Sequence, residues 1–165
     1  MIQIKSRIID AIYRHAQAEF PRECCGIVIA KKDAPQNFEQ IFPCRNLQDD
    51  IHAKDPEKFP RTAETAYFLS PDDLFKIQKI ARDLKMEMKM IYHSHVNVGA
   101  YFSEEDKKQA TYEGTPIYPG VYYLVVDIKG TGLDKKDLSP VVSGAKLFEW
   151  NSQKKDFLEV DWQVV

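Results

Sequence analysis

Residues 88–106 read MKMIYHSHVNVGAYFSEED, an apolar run that ends in two histidines and leads into an acidic helix start. The run Met88–His95 predicts a β-strand, because a short apolar stretch bounded by polar residues is typical of a buried strand. Side chains alternate between the two faces of a strand, so His93 and His95 should share one face and Ser94 should lie on the other. The two imidazoles are therefore predicted to converge on one side of a sheet.

The pattern of apolar residues on either side of this run predicts an α/β fold. Helical spacing and helix-start signals predict three helices, at 4–19, 70–84 and 103–112. Short apolar or alternating runs predict further strands at 24–30, 38–44, 66–69, 121–128, 145–150 and 156–162. We expect one domain over residues 1–165, with a mixed, mostly antiparallel central sheet flanked by the three helices.

Composition and charge argue against several classes of protein. The formal net charge of -2 does not favour binding to nucleic acid or to an anionic membrane. Residues 1–7 lack the apolar core of a signal peptide, and no apolar run approaches the length of a membrane-spanning helix. The 3 cysteines include no CxxC pair and form a poor disulfide framework. We therefore expect a cytoplasmic protein with no nucleic-acid partner and no membrane partner.

Two histidines on one strand face and an acid on the next helix have the spacing of a metal site. His93 and His95 can bind one ion, and Asp106 offers a carboxylate oxygen as a third ligand. This ligand set leaves a fourth position for water, which is typical of a catalytic zinc site rather than a structural one. Zinc would lower the pKa of that water to near 7 and so provide a nucleophile at neutral pH.

Each part of this pattern also has a purely structural interpretation. A histidine pair on a strand is often structural, and Ser103 with Asp106 resembles a capping box at a helix start. Ser103 can serve in both ways, because a hydroxyl accepts from a backbone N–H while it donates its own proton to an oxyanion. A thiol nucleophile formed by Cys24 or Cys25 with one of the histidines is a weaker alternative.

A general base is missing from this set, since the sequence contains no HExxH motif. Glu23 is the candidate, because it directly precedes the apolar run 24–30, where a carboxylate is costly unless it is paired. By composition alone, the interpretation of Glu23 as a surface loop residue beside Arg22 is the favoured one. The residues by themselves therefore do not establish Glu23 as the base.

Together these residues resemble the JAMM signature of the MPN-domain metalloproteases. The match consists of Glu23 within the segment PRECCG at 21–26, the His93-Ser94-His95 motif, and Ser103 and Asp106 at the family's spacing. The resemblance implies that His93, His95 and Asp106 bind one zinc ion per chain with a bound water. It also implies that Glu23 carries a proton from that water to the leaving amine, and that Ser103 stabilises the oxyanion.

Within that family the chain resembles the small, stand-alone bacterial branch associated with ubiquitin-like sulfur-carrier proteins. The resemblance implies a zinc peptidase or isopeptidase that hydrolyses an amide bond at the C-terminal tail of such a carrier, and it is compatible with a homodimer. The polar segment 46–65 is predicted to be a long loop that flanks the cleft and contacts this tail. Val96 occupies the position at which many family members have proline. The loop after the second histidine is therefore expected to differ in backbone path from the loop of those members.

Two other functions compete with this interpretation. The first is a non-catalytic MPN scaffold that binds partners, although scaffolding members typically lack metal ligands that are all present here. The second is a related zinc hydrolase that acts on a different bond, or a RadC-like protein linked to DNA metabolism. The near-neutral charge does not favour contact with DNA. Hydrolysis that stops on chelation and needs no nucleic acid would distinguish the peptidase from both.

Overall fold

A computed structural model describes residues 1–131 and 139–165, and its centre is a mixed sheet of six strands. The strands are β1 Ile2–Ile4, β2 Cys25–Lys31, β3 Ala34–Cys44, β4 Met86–Val96, β5 Thr111–Tyr112, β6 Thr115–Pro116, β7 Tyr122–Lys129, β8 Val141–Asn151, β9 Asp156–Val160 and β10 Trp162–Val164. The helices are α1 Ser6–Glu19, α2 Gln48–Lys54, α3 Pro71–Asp83 and α4 Glu104–Ala110.

The central sheet has the strand order β3-β2-β4-β7-β8-β9. Its neighbouring strands pair antiparallel, except that β4 and β7 run parallel. The α/β class and the mixed, mostly antiparallel sheet predicted from the sequence are therefore confirmed. Strand β4 lies inside the sheet between β2 and β7, so the histidine motif at its end is held by neighbours on both sides.

The two faces of the sheet carry separate apolar cores. Helix α1 packs on one face, where its buried Ile8 and Ile12 meet Tyr92 of β4. Helix α3 and the segment around α4 cover the opposite face, where Ile91 belongs to the second core. This alternation along β4 is the one expected of a strand, and it directs His93 to the second face, where its ring packs against Phe102.

Gly26 is required by a close approach within the first core. A Cβ atom at this position would lie 2.3 Å from the ring of Tyr92, which is far inside van der Waals contact. The Tyr92 hydroxyl in turn lies 2.8 Å from Nδ1 of His15 on α1. The glycine therefore lets a large side chain fill the space directly behind the histidine motif.

The structure corrects several element boundaries. The first helix begins at Ser6 rather than at residue 4, because Ile2–Ile4 forms a strand that pairs in parallel with β10. Residues 66–69 form no strand, and Leu69 makes only a single bridge to Asn46. The predicted loop at 46–65 contains helix α2, so the described residues form four helices rather than three.

These differences have physical reasons. The partner of β1 lies at the far end of the chain, and no local pattern can report a pairing over that distance. Helix α2 buries only Gln48, so it has no apolar stripe, although Asp49 and Asp50 in its first turn are a helix-start signal. The start of α3 matches its prediction, since Ser70 accepts a hydrogen bond from the Asp73 amide. None of the helices in the described ranges is long and apolar enough to cross a membrane.

Candidate metal centre

The end of β4 and the first turn of α4 bring two histidines and an aspartate together on the second face of the sheet. Nε2 of His93 lies 3.2 Å from Nε2 of His95, and 3.2 Å from Oδ1 of Asp106. Nε2 of His95 lies 3.3 Å from Oδ2 of Asp106. All three residues are buried, and they form a group of side chains able to hold a metal ion.

The spacing of these donor atoms fits a small tetrahedral ion. Tetrahedral zinc at about 2.0–2.1 Å from each donor would separate the donors by about 3.3 Å. The two imidazole nitrogens lie 3.2 Å apart, and each lies 3.2–3.3 Å from one of the two Asp106 oxygens, distances that agree with that value. Two imidazole nitrogens and a carboxylate oxygen are also ligand types that zinc prefers. The residues present therefore fit the ion that the sequence predicted.

A capping box holds Asp106 in place. The Ser103 backbone amide donates to Oδ2 of Asp106 over 2.8 Å, and the Asp106 amide donates to Oγ of Ser103 over 3.1 Å. The structural interpretation of these two residues is therefore correct, and it does not compete with metal binding. The same reciprocal pair that begins α4 also directs the Asp106 carboxylate towards both histidines.

The protonation states of the three residues suit a cation. Nδ1 of His95 lies 3.1 Å from the Gly99 carbonyl, an arrangement in which Nδ1 carries the proton and Nε2 keeps its lone pair. Burial lowers the pKa of His93 and so favours its neutral form. Burial raises the pKa of Asp106, but the His93 and His95 rings and the Ser103 hydrogen bond outweigh it, and the pKa falls well below its usual range.

Further aromatic rings fix the orientation of the imidazoles. The Tyr67 ring stacks on His93 with centroids 4.4 Å apart, and the Tyr101 ring meets His95 edge-on at 4.8 Å. Tyr67 is itself buried, and its carbonyl accepts a hydrogen bond from Gln109 of α4. Sequence analysis did not identify Tyr67, because nothing in its local pattern shows that it will lie on a residue 26 positions later.

Glu23 lines the same cavity as His95 and Asp106. It is buried, with an exposed fraction of 4%. The residue after it, Cys24, donates its amide proton to Oγ of Ser94 over 2.8 Å, and the Cys24 carbonyl accepts from the Ser94 amide over 3.1 Å. Because Ser94 stands between the two histidines, these bonds attach the Glu23 segment directly to the histidine motif. The interpretation of Glu23 as a surface residue is therefore wrong.

The segment before α3 holds Glu23 from the other side. The Glu23 amide donates to the Ala63 carbonyl over 2.7 Å, and Nδ2 of Asn46 donates to the Glu23 carbonyl over 2.9 Å. Burial raises the pKa of Glu23 well above its ordinary value, the charge of Asp106 raises it further, and the Arg61 guanidinium partly lowers it. A buried carboxyl group with a raised pKa, beside side chains able to hold a metal ion, is a candidate for a general base and acid.

A cavity of about 160 Å³ opens beside these residues. Glu23, His95, Ser103 and Asp106 all line it, so the structure brings four of the five sequence-predicted residues to one space. The fifth, His93, is fully buried behind His95. Residues from 61–67 line the other side of the cavity, which agrees with the expectation that the segment 46–65 flanks the cleft.

The cysteines do not support the alternative of a thiol nucleophile. All three are free and buried. Burial raises the pKa of Cys24 to about 12, and the pKa of Cys25 well above its ordinary value, so neither forms a thiolate at neutral pH.

The sequence pattern that defines Prok-JAB, the prokaryotic homologs of the JAB domain, matches residues 5–139 of this chain. The chain belongs to this family. The JAB match covers β4, α4 and the Glu23 segment, and so includes every residue of the candidate metal centre.

The chain is similar in sequence to a bacterial peptidase and to a phage protein. Over 145 residues it is 26% identical to a protein of Mycobacterium tuberculosis named CysO-cysteine peptidase, an alignment that covers 88% of this chain and 86% of the relative. Over 106 residues it is 38% identical to the tail tip assembly protein K of Escherichia phage N15. That alignment covers 64% of this chain but only 35% of the phage protein, so the chain spans about a third of that relative's length.

Solved structures have the same JAB fold. A protein from Desulfitobacterium hafniense matches with a TM-score of 0.65 at 20% identity, covering 100% of this chain and 93% of the other. A JAB1/MPN domain protein from Archaeoglobus fulgidus matches with a TM-score of 0.52 at 16% identity, covering 99% of this chain and 97% of the other. At these identities the likeness concerns the fold alone.

Proposed function

We propose that this protein is a zinc-dependent peptidase that hydrolyses an amide bond at the C-terminal tail of a small ubiquitin-like or sulfur-carrier protein. The grouping of His93, His95 and Asp106 beside the cavity that Glu23 lines supports this proposal best. His93, His95 and Asp106 would hold one zinc ion. When bound, zinc supplies Lewis acidity and lowers the pKa of a coordinated water to near 7.

Glu23 transfers the proton in this proposal. Its ionised carboxylate takes a proton from the attacking water, and its carboxylic acid form then gives that proton to the leaving amine. The raised pKa of Glu23 favours the second half of this cycle, because a weaker acid holds the proton until a more basic amine is present. Burial of Glu23 also keeps bulk water away from the proton during the transfer.

Ser103 stabilises the negative charge that develops on the carbonyl oxygen. Its Oγ accepts from the Asp106 amide, so the hydroxyl proton remains able to point into the cavity that Ser103 lines. Removal of one such donor typically costs about 10²–10³-fold in rate. The capping box serves this role as well, because it holds the serine at a fixed distance from Asp106.

The substrate class follows from the family and from one relative. The mycobacterial relative is named for a CysO-cysteine substrate, and the alignment covers most of both chains. We infer that this protein likewise releases a C-terminal residue from a carrier protein. Cytoplasmic location, homodimer formation and the absence of a nucleic-acid partner stay predictions.

The test measures release of free cysteine from a CysO carrier that ends in cysteine. We expect the zinc-loaded protein to release it, a chelator to stop the reaction, and added zinc to restore it. His95→Ala should bind no zinc and be inactive. His52→Asn should remain active, because His52 lies on α2 and does not line the cavity.

Two results would contradict the proposal in different ways. A wild-type protein that binds no zinc would rule out the catalytic proposal and favour the non-catalytic scaffold. A protein that binds about one zinc per chain but leaves the carrier intact would keep the metal centre and exclude this substrate.

A role in phage tail assembly is the second candidate. It is favoured by the 38% identity to the tail tip assembly protein K, which is higher than the identity to the peptidase. The carrier assay above separates the two candidates. Release of cysteine would favour the peptidase, and an intact carrier would favour the role in tail assembly.

A further inference from the structure

The cavity beside the candidate metal centre is acidic, with one exception. Four carboxylate side chains line it: Glu23, Glu64, Glu105 and Asp106. Arg61 is the one lysine or arginine among the described residues that line this cavity. A single guanidinium among acids at a catalytic cavity is a candidate for binding an anionic group of the substrate.

The backbone around Arg61 is held by hydrogen bonds to α2 and to the Glu23 segment. Its carbonyl accepts a hydrogen bond from Nε2 of the buried Gln48 over 2.9 Å. Two residues further along, the Ala63 carbonyl accepts from the Glu23 amide over 2.7 Å. The position of Arg61 relative to Glu23 is therefore set by the fold rather than by a free loop.

The guanidinium has donors to spare. Within the described part of the chain it makes one hydrogen bond, from Nη1 to the Thr65 carbonyl over 3.2 Å. An arginine side chain has five N–H donors in a planar fork, and this fork matches the two oxygens of a carboxylate. Arg61 can therefore keep its bond to Thr65 and still bind a carboxylate.

The covalent structure of a leaving amino acid determines how far its carboxylate lies from its amine. When a single C-terminal amino acid leaves, its amine takes the proton from Glu23, and its carboxylate carbon is two covalent bonds from that nitrogen. Those two bonds span only about 2.5 Å. A cation that recognises the leaving residue must therefore lie close to Glu23, and the charge of Arg61 acts on Glu23 through space.

We propose that Arg61 binds the α-carboxylate of the leaving residue, so that the site releases single C-terminal amino acids in preference to cutting within a longer chain. This inference rests on the proposed peptidase function and adds a specificity-determining residue to it. An internal or isopeptide bond has no free carboxylate at this position, so its substrate would not supply an anionic group for the remaining donors of Arg61.

The experiment compares two forms of one substrate. Peptides with the sequence of the CysO tail and a C-terminal cysteine are prepared as the free acid and as the C-terminal amide. With zinc-loaded wild-type protein we expect kcat/KM to be about tenfold or more higher for the acid, mainly through KM, because a charged hydrogen bond is lost with the amide. Arg61→Ala should bring the ratio of the two kcat/KM values close to one, and Arg61→Lys should keep part of it.

Controls separate recognition from a structural role. Arg82→Ala removes an exposed arginine from α3, outside the cavity, and should keep the wild-type ratio. Zinc content and thermal melting of Arg61→Ala show whether the fold and the metal centre survive. A merely structural role would lower the rates on both peptides together and leave their ratio unchanged.

Each remaining outcome decides the matter. Equal cleavage of acid and amide by the wild type would overturn the role of Arg61 and leave the peptidase proposal standing. An Arg61→Ala variant with the full wild-type ratio would also overturn it. Cleavage of neither peptide, nor of the intact carrier, would reject the peptidase proposal and this inference with it.

Discussion

Single residues at this centre belong both to the local fold and to the candidate metal site. Ser103 and Asp106 begin α4 as a capping box, and the same Asp106 carboxylate faces both imidazoles. Ser94 lies between the histidines and holds the Glu23 segment through Cys24. A substitution at such a residue changes two properties, so the clearest tests use residues that have one role.

Glu23→Gln is the sharpest test at the scale of one residue. Glutamine keeps the size of the side chain but cannot accept and return a proton, so turnover should fall by roughly 10²–10⁴-fold. Zinc content should remain near that of the wild type, because Glu23 is not one of the three grouped metal-binding side chains. The measurements are kcat on the carrier and metal per chain, and near-normal kcat would show that the base lies elsewhere.

Between elements, Asn46 joins segments that are distant in the chain. Its Nδ2 donates to the carbonyls of Glu23 and Ala66, and its Oδ1 accepts from the amides of Gln48 and Phe68. One side chain therefore connects the Glu23 segment, α2 and the chain that leads into α3. A short amide that bonds nearby backbone in this way is common for asparagine in loops.

Asn46→Ala should therefore destabilise the protein by about 2–3 kcal/mol, because a buried backbone group without a partner costs about 1–3 kcal/mol. It should also lower kcat, because the Glu23 carbonyl loses the hydrogen bond from Nδ2 of Asn46 that helps to position this residue. Asn37→Ala is the matched control, because among the described residues the Asn37 side chain bonds only the side chain of Glu39. Denaturant unfolding gives the free energy of unfolding of both variants. Equal small losses in the two would show that Asn46 does not connect these segments.

A second connection ties α4 to the edge of the sheet, where Nζ of Lys107 lies 2.9 Å from Oδ1 of Asp156 on β9. The hydrogen bond from Lys107 lowers the pKa of Asp156. Because the folded-state pKa is below the unfolded value of about 3.9, this stabilisation is present above about pH 4 and is lost as the pH falls through the folded-state pKa.

Asp156→Asn should thus lower the free energy of unfolding near neutral pH by at most about 1 kcal/mol, since both side chains are partly exposed. Asparagine keeps an oxygen for the Phe157 amide, so the change removes mainly the charge. The difference from the wild type should shrink as the pH approaches about 3. A double-mutant cycle with Lys107→Met isolates the pair, and a coupling energy of zero would contradict its role.

At the scale of the whole molecule, metal binding should couple to stability. The three grouped side chains come from the end of β4 and from α4, and these elements meet only in the folded chain. Zinc that binds the folded state alone stabilises it by about 2.7 kcal/mol when its free concentration is 100 times the dissociation constant. A chelator should therefore lower the melting temperature of the wild type.

The same chelator should leave the melting temperature of His95→Ala unchanged, and this comparison separates metal binding from any direct loss caused by the substitution. Calorimetry of both proteins with and without chelator provides the measurement. An equal shift in both would place the stabilising metal somewhere other than this centre.

The sequence by itself determined what depends on local spacing. The period of two along β4 brings His93 and His95 to one face, and Ser103 with Asp106 predicts both a cap and a ligand. Each of these inferences needs only a few neighbouring residues, and the structure places the side chains together as predicted. The start of α3 was predicted for the same reason.

Only the tertiary structure decided what depends on contacts between distant parts of the chain. It pairs β1 with β10 and stacks Tyr67 on His93. It also buries Glu23, whose amide bonds the Ala63 carbonyl and whose neighbour Cys24 bonds Ser94. It also puts Arg61 into the cavity. The physical reason is that burial, and the partners that make it tolerable for a charged group, arise when separate segments pack together, and no local pattern in the chain records which segments will meet.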